Sequence, residues 1–190
     1  MITDFLDGAR PEVWVSDRLA AQFSHAEKHQ YCLAHLMRDA QYAIECGDNL
    51  FAPACKALLK RACAIDRRKD HLAGATLRNL ARELDRRLYA VLALPPMTAE
   101  GVKLKATMAA AREHPFVFAA RRDVPTTNNV SERALRPSAI FRKVTNGFRS
   151  GWGAEVHADI CSVIATGLLN GCTAFDAIRN TLAGLTPAAA

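Results

Sequence analysis

The stretch Thr126-Thr127-Asn128-Asn129-Val130-Ser131-Glu132-Arg133-Ala134-Leu135-Arg136-Pro137 governs the reading of everything around it. Two threonines and two asparagines close a loop, and their side-chain oxygens are good acceptors for the open N–H groups at a helix start. A helix is therefore expected to begin at Ser131 or just before it. Asn129 followed three residues later by Glu132 fits the reciprocal capping arrangement. Glu132 and Arg136 fit an i, i+4 ion pair. On spacing alone, Glu132 needs no role beyond its own helix. The charge pattern beyond it is less ordinary. From Arg133 to Trp152 there is no acidic residue, while Arg133, Arg136, Arg142, Lys143 and Arg149 are basic. A block of one sign at this density is the electrostatic footprint of a surface that meets phosphates.

Composition agrees with an anionic partner. The 190 residues carry a net charge of +6 and a pI of about 9.2, which bears on association and solubility rather than on fold. Hydrophobic residues make up 50%, enough for a core. No apolar run reaches the roughly 18 residues of a membrane span. The opening Met-Ile-Thr-Asp-Phe-Leu-Asp has acids and no basic region, unlike a secretory signal. Cys32, Cys46, Cys55, Cys63, Cys161 and Cys172 form no Cys-x-x-Cys pair. Without a signal peptide, reduced thiols are the expectation, in an intracellular protein.

Toward the N-terminus, Glu12-Val13-Trp14-Val15 is a short β-prone run ending at Ser16-Asp17-Arg18. A carboxylate just past a buried strand is well placed for catalysis or metal binding, because strand ends are rigid and open onto clefts. It could equally cap a helix over Leu19–Ala26. A second strand is expected over residues 29–33, which makes a small parallel crossover. His25, His29, Cys32 and His35 are metal-type ligands at close spacing. If residues 29–33 form a strand, alternate side chains face opposite ways and the four do not converge, which argues against zinc.

The remainder reads as helix. One helix is expected from Leu36 to about Cys46, stopping at Gly47, and a second with Pro53 in its first turn. Leu77, Leu80, Leu84, Leu88 and Val91 give the clearest amphipathic stripe, ending before Pro95-Pro96. Another helix is expected over Thr98–His114, with Phe116-Val117-Phe118 continuing it or turning into the core. Val156, Ile160, Val163, Ile164 and Leu168 predict a buried helix face stopped at Gly171, and Thr173 predicts the cap of a last helix to about Leu182. Between residues 56 and 90, Lys56, Lys60, Arg61, Arg67, Arg68, Lys69, Arg78, Arg82, Arg86 and Arg87 outnumber Asp66, Asp70, Glu83 and Asp85. Such a run is either a solvated face or a contact for the DNA backbone.

Asn128-Asn129-Val130-Ser131-Glu132-Arg133-Ala134-Leu135-Arg136-Pro137, then Arg142-Lys143, then Asn146-Gly147-Phe148-Arg149-Ser150-Gly151-Trp152-Gly153-Ala154, resembles the C-terminal signature of bacterial transposases of the insertion sequence 66 family. The resemblance implies an Asp-Asp-Glu triad on a ribonuclease-H-like core, with Glu132 as its last acid and Asp17, after the fourth core strand, as its second. It implies Mg²⁺ or Mn²⁺ held by Asp17 and Glu132, since such hard cations take carboxylate and phosphate oxygens. It also implies DNA (transposon ends and target) as partner, through Asn128, Asn129, Arg133, Arg136, Arg142, Lys143, Arg149 and Trp152. Phe148 reads more readily as core than as a base-stacking ring. Cys32-Leu33-Ala34-His35 resembles a Cys-x-x-His element of the same family and is read as a packing element or as one that frames the active site.

The expected architecture is mainly α with a small β remnant, a partial ribonuclease-H-like α/β core interrupted by an all-helical insertion. Residues 1–35 would carry the strand–helix–strand piece with Asp17, residues 36–122 the insertion, and residues 123–190 the C-terminal core helices with Glu132. The pattern is incomplete in one respect. The first triad Asp belongs on a strand some tens of residues before Asp17, whereas the sixteen residues before Asp17 hold only Asp4 and Asp7, in no strand-like context. The expectation is a C-terminal transposase fragment, in the bacterial cytoplasm at the nucleoid, inactive alone and acting with itself as a dimer or with a full-length transposase. The alternative is a non-catalytic helical DNA-binding protein that modulates transposition.

Overall fold

The computed structural model describes residues 6, 8–18 and 20–184. Asp4 and Asp7 lie outside them. The chain divides into two compact units, Met1–Asn128 and Asn129–Ala190.

In the first unit, β1 (Val13–Ser16) and β2 (Lys28–Tyr31) pair in parallel, with Val13 opposite Lys28 and Ser16 opposite Tyr31. The helix expected between them is a single 3-10 turn at Ala20–Gln22. The link is shorter than the dozen or so residues a helical crossover needs. Ser24 also adopts a left-handed φ of 69°, which ends any helix there. The indole N–H of Trp14 donates to Gln22 Oε1 (3.1 Å) and fastens the turn back onto β1. β2 stops two residues earlier than expected, because Cys32 N–H donates to Ser16 O (2.9 Å) and Leu33 N–H to Thr126 O (2.8 Å), turning the chain into α1.

Among the described residues of this unit there are also four α-helices: α1 (Leu33–Glu45), α2 (Phe51–Asp66), α3 (Gly74–Ala93) and α4 (Ala99–Ala110). Their apolar faces meet in one core that includes Leu36, Phe51, Leu59, Leu84, Met108 and Phe118, and Tyr31 of β2 joins it. The α3 stripe is buried at Leu77, Leu84, Leu88 and Val91, with Leu80 packed at the margin. α4 ends at Ala110, short of His114, since the residue before Pro115 disfavours helical backbone. Phe116 and Phe118 turn inward. Buried Gln30 ties this segment to the sheet, donating to Pro115 O and accepting from Phe118 N–H, both at 2.9 Å. Between α1 and α2, the Asp48 carboxylate accepts from the backbone N–H groups of Leu50, Phe51, Ala52 and Met97 at 2.9–3.2 Å.

The second unit holds α5 (Asn129–Thr145), α6 (Gly151–Leu169) and α7 (Ala174–Leu182). α5 starts at Asn129, so the residue before its first turn is Asn128 rather than Asn129. Ser150 and Thr173 cap α6 and α7, accepting from Gly153 and Asp176 N–H. α6 and α7 cross where Gly167 meets Ala177; a Cβ on residue 167 would stand 2.3 Å from that of Ala177. The face expected to be buried on α6 is only half-buried at Val163 and Ile164 and exposed elsewhere. Ile160 is 48% and Leu168 59% exposed, Val156 is exposed too, and Gly167 is the helix's buried residue. A 3.6-residue period marks an apolar stripe, but not what covers it. Phe148 is half-buried, stacked on Phe141 (4.9 Å between ring centres) beside His157. Among the described residues no single helix is long and apolar enough to cross a membrane; α6 and α7 reach that length only as a pair bent by 116°.

Candidate active site

The carboxyl ends of the two parallel strands form one edge of the first unit, and the sequence brings its chemistry-bearing residues there. Asp17 follows β1 directly, and Cys32 with His35 follows β2. The two bridges from Cys32 to Ser16 and from Leu33 to Thr126 place the Thr126-Thr127-Asn128 segment at this same edge. Asn128 Oδ1 is buried there and has no hydrogen-bond partner among the described residues. Ser16 is buried, and its hydroxyl donates to the Asp17 carbonyl (2.6 Å) while lying 2.7 Å from His29 Nε2. The hydroxyl proton is committed to that carbonyl, so the imidazole donates to Oγ from Nε2. Arg18 pairs with Asp39 on α1.

His29 is held neutral. Burial, with a smaller contribution from the nearby His114 and against the opposing pull of Asp17, lowers its pKa to about 4. The folded imidazole thus resists protonation down to about 4, whereas the unfolded chain takes up a proton below the ordinary 6.5. Between those values the unfolded state binds more protons, so stability is expected to fall as pH falls through that window. Urea midpoints measured across it should show the slope, and His29→Gln should flatten it.

A second group of side chains fixes the loop that reaches this edge. Lys69 is only 6% exposed. Its ammonium pairs with Asp66 Oδ1 (2.9 Å) and donates to Val124 O, while Thr126 Oγ1 donates to Asp66 Oδ2 (2.8 Å). Arg122 donates to the carbonyls of Lys69 and Leu72. Residues 122–126 are thereby strapped to the end of α2. Sequence reading took Lys69 as one more surface charge and missed this knot. A Lys three residues after an Asp at a helix end was its only sequence signal.

In the second unit, Glu132 lies in the first turn of α5, and none of that helix's residues is buried. At about 100° per residue, Asn129, Glu132, Arg133, Arg136 and Lys143 share one face of α5, and Arg142 falls outside it. Arg149 is exposed, and Trp152 is 71% exposed at the start of α6. Cys32 precedes α1 and His35 lies in its first turn, and among the described residues no three His, Cys, Asp or Glu side chains are grouped so as to hold a metal ion. All six cysteines are free.

The sequence profile of the Transposase IS66 family matches residues 1–156. The chain belongs to that family. Comparison with curated proteins found no match, and comparison with solved structures found none. For an IS66-family chain, membership implies transposition as the function, DNA as the partner and the use of divalent metal in general. The match takes in both β1 with Asp17 and α5 with Glu132.

Proposed function

We propose that this chain supplies two carboxylates, Asp17 and Glu132, to the DNA-cleaving and strand-transferring centre of a metal-dependent transposase. The observation that carries the reading is the position of Asp17, next to the buried end of a parallel strand within the matched segment. Glu132, in the first turn after Asn128-Asn129, is its counterpart on α5. The donor set suits a hard divalent cation, because carboxylate oxygens are the ligands Mg²⁺ and Mn²⁺ prefer. Buried Asn128 Oδ1, lacking a donor, is an oxygen that a cation or its bound water would satisfy. When bound, such ions activate the attacking oxygen and stabilise the leaving one in phosphodiester transfer. Asp17 and Glu132 hold the ions, Arg133 and Arg136 neutralise the phosphate, and Asn129, Arg142, Lys143, Arg149 and Trp152 contact the strands. His29, kept neutral, holds Ser16 and so the backbone at Asp17.

In this reading β1 and β2 belong to a larger ribonuclease-H-like sheet. Parallel strands are normally covered on both faces and seldom stable as a pair. The third carboxylate comes from a strand outside these residues, so the chain alone cleaves little. It works at the bacterial nucleoid with a full-length transposase or a second copy.

The test is Mn²⁺ titration of the intact chain, with plasmid nicking in Mg²⁺ and Mn²⁺ alongside. Asp17→Ala and Glu132→Ala should each weaken Mn²⁺ binding by about tenfold or more, while DNA binding in EDTA stays unchanged. Mn²⁺ affinity indifferent to both substitutions, with DNA binding intact, would favour the non-catalytic DNA-binding alternative. Robust nicking abolished by Glu132→Ala would overturn dependence on a further segment.

A further inference from the structure

The ten basic side chains between residues 56 and 90 sort into two groups. Several are already engaged. Arg61 and Arg87 both bind Glu83, at 2.8 and 2.7 Å. Lys69 is buried against Asp66, and Lys56 donates to Gln41. Among the described residues Lys60, Arg67, Arg68, Arg78, Arg82 and Arg86 have no such partner, and of these Arg78, Arg82 and Arg86 share one helix face. All three are exposed on α3, and among the described residues none meets a carboxylate or a hydrogen-bond acceptor. Spaced four residues apart, they form a single stripe, drifting by about 40° per step. Tyr89, 62% exposed, falls within the same arc. Asp85 stands exposed at the margin of the stripe, and among the described residues it pairs with none of the three arginines. The opposite face of α3 carries Leu77, Leu84, Leu88 and Val91 into the core, so the stripe is held rigidly outward.

We propose that Arg78, Arg82 and Arg86 form a second DNA-contacting surface, on the first unit, that grips the phosphate backbone of a duplex without reading its sequence. The proposal rests on the reading of this chain as a DNA-transposing protein. The stripe spans about 12 Å from Arg78 to Arg86 at 1.5 Å per residue. Over that length one strand of duplex DNA presents roughly four phosphates. Guanidinium groups suit the task, since each offers a planar fork of donors to phosphate oxygens and stays charged at any working pH. Engaged arginines such as Arg61 and Arg87 would first have to give up a carboxylate; these three do not. Tyr89 adds a ring and a hydroxyl at the end of the track.

The test is fluorescence anisotropy with a labelled duplex of arbitrary sequence and the intact chain, in EDTA, between about 50 and 200 mM KCl. Three proteins are compared: the unaltered chain, R78Q/R82Q/R86Q, and the charge-matched control R38Q/K60Q/K103Q. The control residues are exposed on α1, α2 and α4. Removing the stripe should make the log Kd against log salt slope shallower by about two to three, at about 0.9 per phosphate lost. Kd at the low-salt end should rise at least tenfold, and the control should move little. Circular dichroism should show all three folded alike, since every altered side chain is exposed. Unchanged binding by the stripe variant, an equal loss in the control, or no duplex binding by the unaltered chain overturns the proposal. Binding to phosphatidylserine vesicles without binding to duplex overturns it as well. Because no metal is present, a chain that binds duplex through the stripe but fails the Mn²⁺ titration keeps this surface and loses the carboxylate reading.

Discussion

Asp48→Ala is expected to destabilise the first unit by about 4 kcal/mol, with a fall in Tm of roughly 15 °C for a domain of this size. Asp48 is fully buried. Its Oδ1 accepts from Leu50, Phe51 and Ala52 N–H at the start of α2, and its Oδ2 accepts from Met97 N–H ahead of α4 (3.1 Å). One side chain therefore caps one helix and pins the approach to another. Removing a cap costs about 1 kcal/mol, and each buried donor left unsatisfied about 1–3 kcal/mol. Water entering the space recovers part of that sum. Asp48→Asn should recover the cap, since its Oδ1 can still accept from Leu50, Phe51 and Ala52 N–H, but not the Met97 bond, where an amide N–H would face a donor. Gly101→Ala should fall in the same range, because its Cβ would stand 1.9 Å from Asp48 Oδ2. In the Asp48→Ala background the same Gly101 substitution should cost much less, a non-additivity that thermal melts of the four proteins would reveal. Additive losses would mean that Gly101 is constrained by something other than the carboxylate, Pro96 being its other close neighbour. The acid limb carries an independent sign. Burial raises the Asp48 pKa, but the four N–H donors outweigh it and hold the carboxyl below its ordinary value. The stabilisation is thus complete above the unfolded carboxylate pKa and is lost as pH falls through the folded one. Asp48→Ala should flatten that limb.

The sequence carried the helices well where one face is apolar and the partner face lies in the same unit. Leu77, Leu84, Leu88 and Val91 recur at helix spacing and are buried against α2 and its neighbours. Stops at Gly47 and Gly171 were legible because both glycines take positive φ, of 100° and 74°. The same reasoning failed on α6. Its stripe of Val156, Ile160 and Leu168 has the right period, yet these residues are exposed, since a period describes one helix and burial needs a second surface. The crossover between β1 and β2 also ran against local pattern. Residues 19–26 have helix-compatible composition, but a link this short closes with a 3-10 turn. At the candidate site, Asp17 was legible from its place after a β-prone run. Asp66, Lys69 and Thr126 were not, because nothing local connects residues some 60 positions apart. Long-range polar contacts of this kind have no period and no motif. They become visible only once the helices are packed.

Asp66→Ala is the second substitution expected to have a large effect, about 3 kcal/mol or more in urea unfolding. It leaves the Lys69 ammonium, 6% exposed, with a backbone carbonyl and the Phe118 ring but no carboxylate. Breaking a buried ion pair from one side typically costs 3–5 kcal/mol, most of it from the charge left behind. Lys69→Met should cost less, roughly 1–2 kcal/mol, because the Asp66 side chain is 21% exposed, keeps the Thr126 hydroxyl at 2.8 Å, and reaches water. The order of the two is the discriminating feature: a Lys69→Met variant less stable than Asp66→Ala would place the main burden on the carboxylate instead. In the double variant the loss should fall below the sum, since the stranded charge is gone. The knot also bears on the site. Thr126 sits between Asp66, which accepts from its hydroxyl, and Leu33, whose N–H donates to its carbonyl at 2.8 Å. Releasing the hydroxyl should loosen the strap of residues 122–126 and speed hydrogen exchange at the Leu33 amide well before global unfolding. Unchanged exchange at Leu33 in Asp66→Ala would mean that the carbonyl bond holds the strap by itself. Asn128 would then depend on the sheet edge rather than on α2 for its position.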